Sequence, residues 1–271
     1  MTVVAGARTR LLPRSALAAV MVTVATLAAT GCTDINAASD HIAAIEFDSL
    51  PFPAVIAGDS LRDSLGLAAP LRAIAFNGSG AVITNPAIQY ITLDTGVTIG
   101  ANNFLVSQRR SGSIRLVASS TTIQSATKTL LVARRPDSVI VVGKLRDTLR
   151  YVVPDNATTN TSPALGVRLV TRDTADGVTA TQGWLVSYQA FFGGKVIAPG
   201  DTSAAFLVGD GVQRTSLDTT GADGAASRRV RVRPIGITSQ LDSVVVIATV
   251  RYRGAAVRGS PVRFVLLVRP K

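Results

Sequence analysis

Short runs of side chains that alternate between apolar and polar can bury one face of a strand and wet the other, and this sequence repeats that pattern along most of its length. Ile42-Ala43-Ala44-Ile45-Glu46-Phe47 is the first run. Leu71 to Phe76, Ile88 to Leu93, Ser113 to Ala118 and Thr129 to Ala133 follow. Ser138 to Val142, Leu149 to Val153, the trio Leu165, Val167 and Leu169, and two long runs from Ser243 to Arg253 and Pro261 to Arg269 complete the set. Turn-forming residues separate them: Pro51 and Pro53, Asn77-Gly78-Ser79-Gly80, Asp94-Thr95-Gly96, and a hairpin containing Gly254 and Gly259. Long helical patterns are scarce. Short strands with turn signals at roughly 8–12-residue intervals predict an all-β chain built as sandwiches.

The chain has 271 residues and one cysteine. A single cysteine makes no internal disulfide, so each core must hold by packing alone. The length after a leader suits two domains. Arg134-Arg135-Pro136-Asp137 reads as their boundary, because Pro136 drives Arg135 towards an extended conformation. The reading is therefore residues 42–134 as one domain and 137–270 as the other. So short a linker predicts end-to-end stacking with limited swing. Trp184 to Phe192 is the most aromatic stretch and reads as a central strand, with Trp184 packing across the second core.

Residues 1–31 have the form of a secretory signal peptide. Arg8, Arg10 and Arg14 precede an apolar run that starts at Ala16, and small residues close it. That run is shorter than the roughly 20 residues of a bilayer span. The exit, Ala29-Thr30-Gly31-Cys32, resembles a bacterial lipobox. The resemblance implies cleavage before Cys32 and lipidation of its thiol and new amine, with several acyl chains giving a durable anchor. Residues 32–41 then form a polar tether. Thr33 stands where an aspartate resembles an inner-membrane retention signal, which favours the outer membrane for this envelope protein.

Two further resemblances concern the domains. Ala57-Gly58-Asp59, Ala73 to Gly80, Ile88-Gln89-Tyr90 and Gly112 to Ala118 resemble the bacterial immunoglobulin-like group 2 domain, with Tyr90 where that family usually has tryptophan. Ser216 to Ala226 resembles the entry segment of invasin-type bacterial immunoglobulin-like repeats. Both imply an extracytoplasmic, non-enzymatic immunoglobulin-like fold that many binding and scaffolding proteins share.

Catalytic chemistry finds little support. His41, the only histidine, sits in the tether, so no Ser-His-Asp or Cys-His arrangement is available. There is no His/Cys cluster for zinc and no phosphate-binding glycine loop. No cofactor and no metal are expected. Asp173, Asp176, Asp210, Asp218 and Asp223 could offer oxygens to calcium, but they match no calcium-loop spacing and read as turn residues. The net charge of +11 carries more information. Arg229, Arg231 and Arg233 share one face of a strand, Arg251 and Arg253 alternate likewise, and Arg263 and Arg269 form a third pair. If those strands are neighbours, one sheet presents an arginine lattice that attracts anionic glycans, lipids or acidic envelope proteins. Tyr252 and Phe264 fall on the opposite face, so no stacking platform for nucleic acid forms.

The expected role is a membrane-anchored binding or scaffold module. The alternatives are an accessory subunit of a carbohydrate-active enzyme, or a structural envelope protein that assembles through sheet edges. Fatty-acid analogue labelling in a bacterial host tests the anchor: labelling should be lost in Cys32→Ala, and unchanged labelling would refute lipidation at that residue.

Overall fold

A computed structural model describes residues 41–121, 123–173, 177–210, 213–237 and 242–271. The signal peptide, Cys32 and the tether up to residue 40 lie outside the described residues. The regular structure of the described chain is nearly all strand. In its first part the strands are β1 (Ala44–Phe47), β2 (Ala54–Ile56), β3 (Asp59–Ser60), β4 (Ala73–Phe76), β5 (Gln89–Thr92), β6 (Val97–Ile99), β7 (Leu105–Ser107), β8 (Ser113–Ser120), β9 (Ile123–Gln124) and β10 (Lys128–Ala133). One layer has the order β2-β10-β8-β5, and the other is made from β1-β4 and β3-β7-β6. A bond from the Leu71 N–H to the Asn103 carbonyl ties the two pieces of the second layer. Ile114, Leu116 and Ala118 of β8 face Ile45 and Phe47 of β1 and Leu105 of β7 in the core between the layers. Tyr90 tilts against Phe47 at 5.5 Å.

The second part contains β11 (Ser138–Val142), β12 (Arg146–Tyr151), β13 (Leu165–Asp173), β14 (Gly177–Ala180), β15 (Leu185–Phe192), β16 (Lys195–Val196), β17 (Ala205–Val208), β18 (Leu217–Thr219), β19 (Ala225–Val232), β20 (Ser243–Thr249), β21 (Arg251–Tyr252), β22 (Ala255–Ala256) and β23 (Val262–Pro270). One sheet runs β11-β13-β19-β17 and the other β12-β23-β20-β15-β16. In sandwich lettering these are A-B-E-D and A′-G-F-C-C′, the strand order of an immunoglobulin-like domain. In both parts a strand near the start pairs in parallel with the last strand: β2 with β10, and β12 with β23.

Alternation explains the strands it predicts. Along β23 the residues Val262, Phe264, Leu266 and Val268 are buried, while Arg263 and Leu267 face out. Val244, Val246 and Ala248 of β20 lie on the same inner face. Tyr188 is buried at the centre of the sandwich, and its hydroxyl donates to the Ala226 carbonyl at 2.9 Å, which joins the two sheets. Burial raises its pKa.

Alternation misses short edge strands such as β14 and β16, and it also misses strands buried on both faces. β2 is Ala-Val-Ile, buried throughout, and starts directly after Pro53, where a missing N–H is tolerated at a sheet edge. β17 is likewise almost wholly buried. Substitutions on β23 test the inner and outer assignment. Phe264→Ala should cost about 3–5 kcal/mol in denaturant unfolding, whereas Leu267→Ala, on a residue 42 % exposed, should cost about 0.5 kcal/mol or less.

Candidate functional site

Three features of the surface carry chemistry: the junction between the two parts, the arginines of the second, and a cleft at its open side. The junction is organised by Asp59 of β3, which is only 6 % exposed. Arg62 turns back on it, donating from Nε to Oδ2 at 3.0 Å and from Nη2 to Oδ1 at 2.7 Å. The Tyr252 hydroxyl donates to Oδ2 at 2.9 Å and Arg253 Nε at 3.3 Å, both from the tip of the β20–β23 hairpin. Burial alone would push the Asp59 carboxyl up. Hydrogen bonds from Arg62, Arg253, Tyr252 and the Ser60 N–H outweigh it and hold the group well below the usual carboxylate range. Arg62, Arg135 and Arg253 also lie 5.2–5.7 Å from the Tyr252 ring centre.

Beside this network Trp184 packs on Phe52 of the first part, with ring centres 4.7 Å apart. Its Nε1 donates to the Arg251 carbonyl at 3.3 Å, and Tyr252 meets it edge-on at 6.2 Å. Trp184 therefore does not cross the middle of the second core, as its sequence context suggested. It precedes β15 and plugs the end of the sandwich, and Tyr188 takes the central place. The approach is close. A Cβ on Gly183, whose φ is +75°, would stand 2.7 Å from Leu131 Cδ2, and one on Gly66 would stand 2.5 Å from the Gly254 nitrogen. Arg253 itself adopts a left-handed backbone with φ 50°, a conformation costing a non-glycine residue about 1–2 kcal/mol.

The arginine lattice does not form as one sheet, because β19 and β23 belong to opposite layers of the sandwich. Arg229, Arg231 and Arg233 do share a face, the outer side of the β11-β13-β19-β17 sheet. Arg263 lies on the outer side of the other sheet and is exposed. Arg251 and Arg253 are at the junction, where Arg251 Nη1 donates to the Gly254 carbonyl at 2.9 Å. On the first of these faces Arg231 meets Asp155 at 3.0 Å and Arg229 meets Asp210 at 3.3 Å. Phe206 lies opposite Arg231 in the register, on the outer face, yet is buried. Three guanidiniums roof it: Arg214 at 5.1 Å, Arg233 at 5.7 Å and Arg231 at 5.8 Å. Arg214 lies in a loop with no alternation to flag it, so sequence reasoning passed over it.

Arg228, also missed, points inward among Ala226, Val230 and Val232. It is buried, paired with Asp218 at 2.9 Å, and donates to the carbonyls of Thr215, Ser227 and Leu217. The other loop aspartates are engaged locally. Asp223 accepts the Ala225 N–H and Asp218 the Ser227 N–H. Asp176 and the side chain of Asp173 lie outside the described residues. Among the described residues no group of three or more His, Cys, Asp or Glu side chains could hold a metal ion.

The cleft has a volume of about 400 Å³. Tyr188, Gln189 and Ala190 of β15 form one wall, and Phe206, Arg214 and Leu217 are on the other side. It opens along the outer edge of β15, which β18 covers at Leu185–Ser187 and β16 at Phe191–Phe192, with single hydrogen bonds from the Tyr188 N–H to the Ser216 carbonyl and from the Ile197 N–H to the Ala190 carbonyl between them. Leu65 of the first part contributes to its rim.

No family model matches the chain, and no curated protein does. Solved structures with similarity include domains 4 and 5 of the S-layer protein SbsC, at 11 % identity and TM-score 0.29 over 84 % of this chain and 99 % of that one. The adhesin InvE of Yersinia pseudotuberculosis is similar at 11 % identity and TM-score 0.31, over 83 % of this chain and 58 % of that one. Rst D1-D2 is similar at 12 % identity and TM-score 0.25, over 84 % of this chain and 100 % of that one.

The Asp59 network makes a directional prediction for pH. Its folded pKa is depressed, so its stabilisation is complete above the unfolded value of about 3.9 and is lost progressively as pH falls below it. Trp184 is the only tryptophan, so its emission reports on the junction. In Asp59→Ala the emission should shift to the red at neutral pH, with a stability loss of about 3 kcal/mol. Unchanged emission and stability would show that the network does not hold the two parts together.

Proposed function

We propose that the chain is a non-enzymatic, lipid-anchored module of the bacterial cell envelope. In this reading two immunoglobulin-like sandwiches act as one stiff body, which holds the face of the second away from the membrane for contact with other envelope components. The junction is the observation that carries the proposal. A domain pair tethered for free motion would leave its end surfaces polar and wet. Here a tryptophan is buried across the joint, a carboxylate is shared between residues 193 positions apart, and apolar packing runs from one core into the other.

The lipobox resemblance at Cys32 supports the anchor, and the short polar segment after it would place the first sandwich near the membrane surface. The first sandwich serves as spacer. The second carries the longer loops, the roofed Phe206 and the cleft, and is the contact domain. Outer-membrane residence is part of the same proposal, resting on the lipobox and on Thr33.

Stiffness is measurable by distance distributions between spin labels. With labels at Ser79→Cys and Lys195→Cys in a Cys32→Ser background, the native junction should give one narrow distribution. Adding Asp59→Ala with Trp184→Ala should broaden it. A broad distribution with the junction intact would overturn the stiff-module reading.

A further inference from the structure

We propose that the second sandwich holds a binding site for an acidic saccharide: the anionic group sits over Phe206 among Arg214, Arg231 and Arg233, and the sugar body occupies the adjoining cleft. The site deepens the binding-module reading and is separable from it, since neither the anchor nor the junction enters the argument.

Charge balance comes first. Three guanidiniums gather within 6 Å of one buried ring, yet only Arg231 has an acidic partner, Asp155. Asp210 is taken by Arg229. Among the described residues Arg214 and Arg233 have no carboxylate, so two like charges are crowded with only the face of Phe206 to offset their repulsion. The second observation is independent of charge. The Nε atoms of Arg231 and Arg233 are buried and have no hydrogen-bond acceptor. A buried donor without a partner is costly, so these two guanidiniums keep unspent donor capacity that an oxyanion drawn among them would take up through a shift of their side chains. Guanidinium geometry suits phosphate or carboxylate through paired N–H donors.

The cleft supplies the rest. Phe206 and Arg214 belong both to the cluster and to the cleft wall, so an anion held by Arg214 has the cavity beside it. Ser187, Gln189, Thr215 and Thr249 offer hydroxyl and amide groups, with apolar patches at Ile197 and Leu217. That mixture pairs with the hydroxyls and C–H faces of a sugar. The volume is at the lower end of small-molecule pockets and suits roughly one or two rings.

Calorimetric titration of the full protein in detergent tests this, with glucose 1-phosphate, glucuronate, glucose and inorganic phosphate as probes. At least one of the two acidic sugars should bind with Kd below about 1 mM, with glucose and inorganic phosphate each about tenfold weaker or more. The double variant R214A/R233A should weaken the acidic sugar about tenfold or more while keeping a single cooperative melting transition. R263A, on the opposite sheet, should bind as the native protein does. Competition by polygalacturonate in solution, against vesicles carrying lipopolysaccharide, then distinguishes a free glycan from a glycolipid headgroup. The proposal is overturned if neither acidic sugar binds, if inorganic phosphate binds as tightly as glucose 1-phosphate and glucuronate does not bind, or if R263A loses as much affinity as R214A/R233A.

Discussion

Every stabilising element of the described chain depends on apolar side chains meeting across a sandwich, because no disulfide can close either core. That constraint explains the texture of the second core. Valine supplies most of it, with Val230, Val232, Val244, Val246 and Val268 all fully buried, and β-branched residues fill a pleated layer without much rotamer freedom to lose. Two large residues give the valine layer its depth. Phe264 fills the middle, and Tyr188 spans from one sheet to the other to reach the Ala226 carbonyl. Arg228, the one charged side chain buried in this core among the described residues, is tolerated because an aspartate and three carbonyls meet its guanidinium.

The junction extends the same economy to the space between the sandwiches. Apolar contact between Phe52 and Trp184 excludes water, and the exclusion strengthens the Asp59 network beside it. The arginines there outnumber the carboxylate they surround. Arg62 and Arg253 bond to it directly, while Arg135 rests on the ring of Tyr252. A phenol that donates to the carboxylate and offers its face to the cations lets one acid serve several bases. The left-handed backbone at Arg253 belongs to the two-residue turn that it forms with Gly254 between β21 and β22, both residues having positive φ, and that turn presents Tyr252 and Arg253 to the same carboxylate.

Alternation made the all-β architecture legible, along with the outward placement of Arg229, Arg231 and Arg233, because a period of two is a local property of one strand. It could not tell which strands are neighbours. The arginines of β19 and β23 look alike in sequence, yet they belong to opposite layers, since the sandwich order interleaves distant strands. Nor does alternation register β2 and β17, whose two faces are both covered. Trp184 was rightly read as buried, but its partners Phe52 and Tyr252 lie far away in the chain, so no local pattern could place it at the joint. Asp59 stands out in sequence only within Ala57-Gly58-Asp59, part of the immunoglobulin-like resemblance, and its chemistry comes from a hairpin nearly two hundred residues later. The residues of the candidate saccharide site divide the same way: Arg231 and Arg233 announce themselves, whereas Phe206 emerges only from the register of β17 against β19 and Arg214 only from the loop that folds back over that ring.

The parallel pairings β2–β10 and β12–β23 have a mechanical consequence. In each sandwich a strand near the entry of the chain lies alongside the strand by which it leaves, running in the same direction. Tension applied between the two ends of such a unit pulls the paired strands past each other along their length. Their hydrogen bonds are then loaded side by side and must yield together, whereas an antiparallel hairpin pulled from its open end unzips one bond after another. A chain held at one end and tugged at the other would meet that resistance twice in series, once in each sandwich.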